Sequence, residues 1–244
     1  MILLLPPSPV FHLDPAGPMR LAARPAPVRF RPGTTAVAVS PVAETKGFSD
    51  HGGFGPSGVG YRFDGVGSAI LLGDPKALRL VRSLTVATWV RVDAAPPRGV
   101  QLIFRGDDLI GRDPYHLAYH PNGESVFGIE NAKGETAHVS GMLPLGRWTH
   151  VAASLDDRTG TLRFWVDGFL RDEKRTRVRP YRDLLRSQAG GVSIGNVQNP
   201  AGGVHNQPFR GEMADVRIYD RAVTPPETGF VPPRGGSFPV PVPG

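Results

Sequence analysis

The chain holds 22 Asp and Glu and 7 His but no Cys, and the spacing of these residues narrows what chemistry is open. His116 and His120 stand four apart in Tyr115-His-Leu-Ala-Tyr119-His120. On a helix that interval makes a zinc pair, but the segment reads as a strand running into a hairpin. Four residues of strand span about 13 Å, too far to share one ion. What remains for Tyr115, His116, Tyr119 and His120 is a sheet face offering rings to a sugar, against the alternative of solvent-facing strand histidines. Trp165 alternates with Phe164 and Val166, faces away from them, and is the tryptophan expected to present an exposed ring. Cysteine is absent, which excludes a thiol nucleophile. No Gly-x-Ser-x-Gly elbow is present. Glu124, Glu130 and Glu135 lie in or beside turns, and Asp156 and Asp157 point to opposite sides of their strand. The chain is not expected to be an enzyme.

Arginine is the other prominent type, with 24 Arg against 4 Lys and a net charge of +6. Arginine suits bidentate contacts with carboxylate and phosphate, although a GC-rich genome inflates it together with Ala, Gly and Pro. The run from Arg171 to Arg186 carries seven basic and three acidic residues. It lacks interleaved aromatics beyond Tyr181 and any nucleic-acid motif, so no specific nucleic acid is expected. Arg20, Arg24, Arg29 and Arg31 near the N-terminus and Arg175, Arg177 and Arg179 in this run are the candidate contacts for an acidic protein partner. Acidic glycans and a solvated charged loop are the alternatives for the run.

The elements that must position these residues are short strands. With 31 Gly and 26 Pro in 244 residues, turns are frequent and long helices disfavoured. Asn122-Gly123 and Lys133-Gly134 sit between alternating runs and mark hairpins. Further strands are expected at 84–92, 100–104, 148–155, 161–166, 192–196 and 213–219. No apolar run approaches the roughly 20 residues needed to span a bilayer. The apolar start before Pro6-Pro7 is too short for the core of a signal peptide. The chain divides into a Pro/Arg-rich extended arm over 1–46, a sandwich over 47–227 and a Pro/Gly-rich tail over 228–244. Proline at this density prevents a regular central strand, so the arm is expected to lie on its own sandwich or on a neighbouring subunit.

Five segments in register point to a family. Phe209–Glu227, FRGEMADVRIYDRAVTPPE, comes after Tyr61-Arg-Phe-Asp-Gly65, Leu84-Thr-Val-Ala-Thr-Trp89-Val90, Gly146-Arg-Trp-Thr-His-Val151 and Leu162-Arg-Phe-Trp-Val-Asp-Gly168. Together they resemble the laminin G-like, concanavalin A-like lectin/glucanase domains over roughly residues 48–224. The resemblance implies an all-β, two-sheet antiparallel jelly-roll sandwich. It implies that Trp89 and Trp148 pack inside that sandwich, and that a structural Ca2+ is held by Asp215 with the carbonyl of Gly65. A rim ion at Asp107, Asp108 and Asp113 is a lesser candidate. The Glu-x-Asp-x-x-Glu strand of the fold's glycosidases, whose carboxylates stand about 5–5.5 Å apart, is missing.

Fold alone does not fix function. The missing export signal and the arms favour a non-catalytic virion (bacteriophage) surface or decoration component, with arms docked on capsid, tail or copies of itself. The alternative is an extracellular glycan-binding adhesive module of an exported bacterial protein. An unrecognised hydrolase is the third class, and it lacks its carboxylate pair.

Overall fold

The computed structural model describes residues 8–13, 20–21, 24–25, 28–39, 58–106, 112–184, 190–197, 206–228 and 230. The arm contributes β1 (Phe11–Leu13), β2 (Arg20–Leu21), β3 (Arg24–Pro25), β4 (Arg29–Phe30) and β5 (Thr35–Val39). The body begins with β6 (Gly58–Asp64), β7 (Ile70–Gly73), β8 (Leu84–Val92), β9 (Val100–Gly106), β10 (Tyr115–Tyr119) and β11 (Glu124–Glu130). It continues with β12 (Thr136–Met142), β13 (Trp148–Asp156), β14 (Thr161–Val166), β15 (Phe169–Arg175), β16 (Gly191–Ile194) and β17 (Arg210–Tyr219). Among the described residues only two short 3-10 turns, Lys76–Leu78 and Pro225–Thr228, interrupt the strands.

The strands form two antiparallel sheets. The first, sheet A, runs β15-β14-β13-β8-β17 and then divides. β6, with β5 beside it, pairs with Arg210–Met213 of β17, while β1, followed by β2 and β3, pairs with 216–218. Sheet B runs β12-β11-β10-β9-β16-β7-β4. The expected jelly-roll sandwich is the fold of this chain.

Period-two alternation fills the space between the sheets. Leu84, Val86, Val90 and Val92 of β8 meet Val151, Ala153 and Leu155 of β13 and Leu162, Phe164 and Val166 of β14 in one core. Tyr115, Leu117 and Tyr119 of β10 and Phe127 and Ile129 of β11 close it from sheet B. Each large apolar side chain buried here contributes roughly 1.5–3 kcal/mol.

The opposite parity of sheet A is also buried, and this corrects an expectation. Trp89 and Trp148 do not enter the inter-sheet core. They lie on the outer face of sheet A with Ala214, Phe230 and Val37. Phe230 sits with its ring centroid 5.9 Å from Trp89 and 4.7 Å from His150. The start of the C-terminal tail thus caps an aromatic cluster on the outside of the sheet.

The closing strand departs from simple alternation at one residue. Between Ala214, opposite Trp89, and Arg217, opposite Ala87, β17 holds one residue more than β8. Asp215 takes φ 50° there, a left-handed conformation rare outside Gly, Asn and Asp. The bulge reverses the parity of the later residues of the strand, so Met213, Val216 and Ile218 all reach the core. Strict alternation would have put Met213 on the face of Arg217. The same bulge marks the point where sheet A divides between β6 and β1.

The described part of the arm folds back onto its own sandwich. β1 adds to sheet A with Phe11 and Leu13 fully buried, β4 pairs with β7 in sheet B, and β5 returns to β6. Arg31 donates from its backbone to Ala69 and from its side chain to the Val197 carbonyl at 3.1 Å. Proline density limits β2, β3 and β4 to two residues each, but edge pairing tolerates proline.

Candidate functional site

The hairpin between β10 and β11 builds an open constellation of polar side chains on the described body. His120 donates its backbone N–H to Glu124 and accepts from Gly123, so Pro121, Asn122 and Gly123 form the loop. Gly123 adopts φ 88°, the position where this turn requires glycine. The next hairpin, through Asn131–Gly134, sets β12 in register so that Gly128 faces His138, Val126 faces Ser140 and Glu124 faces Met142. Alternate residues of β11 and β12 therefore share the outer face of sheet B. His120, Pro121, Asn122, Glu124, Val126 and His138 line a shallow depression of about 540 Å³ there.

Glu124 is the fixed point of this depression. Ser140 donates its hydroxyl to Oε1 at 2.6 Å, and Asn122 reaches Oε2 only at 3.4 Å. The Ser140 hydrogen bond holds the Glu124 carboxyl below its ordinary range. Asn122 is itself braced, because its Oδ1 accepts the Glu124 backbone N–H at 3.1 Å. The backbone N–H of Ser140 donates to Asp172 at 3.1 Å, bringing a second carboxylate to the same residue. Val126 and Pro121 supply an apolar surface beside these polar atoms.

His116 shares this face as structure. It lies in a cross-strand row with Gly128 and His138. A Cβ at Gly128 would come within 2.5 Å of its Cε1, so its ring rests on that glycine. Burial pushes the imidazole down to about 4, and the neighbouring His120 and His138 add to the shift. Its Nδ1 has no hydrogen-bond partner among the described residues.

Of the five residues expected to meet a glycan, only His120 lines the depression. Tyr115 and Tyr119 belong to the inward parity of β10, and their rings are in the core. The Tyr115 hydroxyl donates to the Leu78 carbonyl at 2.8 Å, and burial raises its pKa. Trp165 does face away from Phe164 and Val166, but it lies on the other sheet and is only 8% exposed, packed on Ala87 and Ala152. Stepping the strand by two places residues correctly relative to one another and leaves open which set faces out. Glu124 and Asn122 read in the sequence as turn residues alone. His138 is found only by counting the register back from Lys133-Gly134.

Asp215 and Gly65 do not fit a shared calcium ion. The Asp215 carboxylate is bound by His12 Nε2 at 2.6 Å and by Arg217 at 2.7 and 2.9 Å. Burial pushes its pKa up, but the hydrogen bonds from His12 and Arg217 outweigh that and hold it low. Two basic side chains on one carboxylate leave no place for a divalent cation. Gly65 follows Asp64, which pairs with Arg210, five residues down β17 from Asp215, or roughly 16 Å along a strand. Asp107 and Asp108 lie outside the described residues.

The arginine candidates divide similarly. Arg31 is engaged with its own sandwich, and Arg179 binds Asp157 and the carbonyls of Thr176 and Val178. Arg20, Arg29, Arg175 and Arg177 are exposed. The Arg24 side chain lies outside the described residues. Beneath the charged run, fully buried Arg105 pairs with Asp74 at 2.9 Å and donates to the carbonyls of Tyr181 and Arg182. That anchoring makes much of the run part of the fold.

With this arrangement in view, the chain belongs to the Laminin_G_3 family of the concanavalin A-like lectin/glucanases superfamily, which matches residues 64–228. Jeltraxin of Lepidobatrachus laevis is 35% identical over 83 residues, 33% of this chain and 35% of that protein. The chain thus spans about a third of the curated relatives it matches. The solved binding domain of Paraclostridial Mosquitocidal Protein 1 superposes with a TM-score of 0.64 at 13% identity, over 91% of this chain and 51% of that one. The Ruminococcus gnavus IT-sialidase CBM40, solved with alpha2,3 sialyllactose, has a TM-score of 0.54 at 14% identity, covering 69% and 93%. At these identities the two structures share the fold.

Proposed function

We propose that this chain is a non-catalytic glycan-binding module whose ligand face is the outer surface of sheet B. The observation that carries the proposal is the depression at the β10–β11 hairpin. There a carboxylate with one oxygen lightly engaged, a braced amide and two imidazoles stand beside Val126 and Pro121. Sugar rings present hydroxyls at their edges and C–H groups on their faces, so polar atoms at the rim of an apolar surface match them. Family membership supports the reading, as does the sialyllactose bound by a domain of the same fold.

Two further observations weigh against the competing classes. On this face a general acid would need a raised pKa, whereas Ser140 shifts Glu124 in the opposite direction. The virion reading draws on an arm that needs neighbours to order it, and residues 8–13 and 28–39 pair with strands of the same chain.

A glycan array followed by calorimetry on the best binder tests the proposal. Glu124→Ala and His138→Ala are expected to lose binding at least tenfold with the melting temperature unchanged. Full binding by both variants would remove the site from this face.

A further inference from the structure

We infer that the depression beside Glu124 selects uncharged glycans over sialylated ones, an inference that rests on the binding reading above. The charge of the lining is its basis. Among the described residues the lining holds one carboxylate and two imidazoles, His120 and His138, and no arginine or lysine. The Ser140 that orients Glu124 also donates its backbone N–H to Asp172, so one serine is bonded to two carboxylates. Glu124 is a carboxylate at neutral pH, and the Ser140 hydrogen bond favours that form further.

A sialic acid presents a carboxylate, whose strong charge-assisted partners are guanidinium, ammonium and imidazolium groups. The described lining offers neither of the first two, and its imidazoles, His120 and His138, already stand beside Glu124. A ligand carboxylate would instead meet Glu124, and like charges in a partly desolvated contact are disfavoured. An uncharged hexose or N-acetylhexosamine meets no such conflict. Its vicinal hydroxyls donate to Glu124, where Oε2 has only the 3.4 Å contact from Asn122. A ring oxygen or carbonyl accepts from Asn122 Nδ2, and the C–H face packs on Val126. The net charge of +6 pulls the other way, since the field of the whole chain attracts anions. Selection against sialylation is therefore a property of this face alone.

The test is a titration of the full chain with paired glycans, each a hexose- or N-acetylhexosamine-terminated structure and its sialylated counterpart, repeated with Glu124→Gln. The uncharged member of a pair is expected to bind at least tenfold more tightly. Glu124→Gln, with its melting temperature checked against the unsubstituted protein, is expected to shrink that ratio several-fold. Equal or tighter binding of the sialylated members, or a ratio unmoved by Glu124→Gln, would overturn the selectivity and leave glycan binding standing. Failure of every pair to bind would overturn the binding reading and the selectivity with it.

Discussion

The two outer faces of this sandwich carry similar residue types to opposite ends. On sheet A, Trp89, Trp148, Trp165 and His150 are all buried on the outside of the sheet. Phe230 packs there with Val37, and Ala87 and Ala152 lie against Trp165. On sheet B His116 and His138 both stand opposite Gly128, and the surface at the β10–β11 hairpin stays open. Aromatic content therefore does not mark the ligand face. On sheet A Val37 and Phe230, from opposite ends of the chain, pack with Trp89 and Trp148, while Trp165 packs on Ala87 and Ala152. On sheet B the hairpin leaves polar atoms exposed beside a small apolar patch.

The largest expected effect comes from breaking the covered face. Trp89→Ala should cost about 3–5 kcal/mol in urea unfolding, as large-to-small changes at buried aromatics do. Glycan binding by the surviving folded fraction should be unchanged. A tolerated Trp89→Ala would mean that the outer face of sheet A is not structural, and the contrast would fail.

Acid should sharpen the same contrast through two histidines. Burial lowers His150 to about 3, with Asp215 opposing and Arg217 adding, and lowers His116 to about 4. The unfolded chain takes up these protons from near pH 6.5 downward, while the folded protein does not. Stability is therefore fully present above about pH 6.5 and falls as pH drops toward the folded values, by up to about 1.4 kcal/mol per pH unit for each group. Unfolding free energies measured from pH 7 to 4.5 should show this slope, and His150→Leu should flatten it. An unchanged slope in that variant would show that His150 is not held neutral.

A smaller effect is expected at the bulge where sheet A divides. Asp215→Ala loses the partner of His12 and Arg217 and places a residue with poor left-handed propensity at φ 50°. The cost should be about 1–3 kcal/mol. Asp215→Asn, which tolerates that conformation, should cost less. The Asp215 contribution is present at neutral pH and is lost as pH falls through its lowered folded pKa. Equal losses in the two variants would remove the backbone part of this account. The smallest stability effect should come from Glu124→Gln on the open face, within about 0.5 kcal/mol as for exposed surface changes.

Much of the fold was legible because its signals are local. The Asn122-Gly123 and Lys133-Gly134 turns, the alternation of β13 and β14 and the closing DVRIYDR segment each stand in the chain where the structure uses them. The site was less legible for physical reasons. Period two sorts Tyr115 from His116 without saying which faces the core, and on sheet A both parities are apolar enough to be buried. The bulge at Asp215 shifts every later residue by one and has no marker stronger than an aspartate in a strand. The pairing of β1 with β17, across about 200 residues of sequence, comes from long-range contact that proline composition obscured.

The most direct test of the central claim is hydrogen–deuterium exchange of the whole protein with and without the best-binding glycan. Protection is expected in residues 116–126 and 136–142, with β13, β14 and β17 unchanged. Protection confined to 148–166 or 210–219 would place the ligand on sheet A and contradict the account.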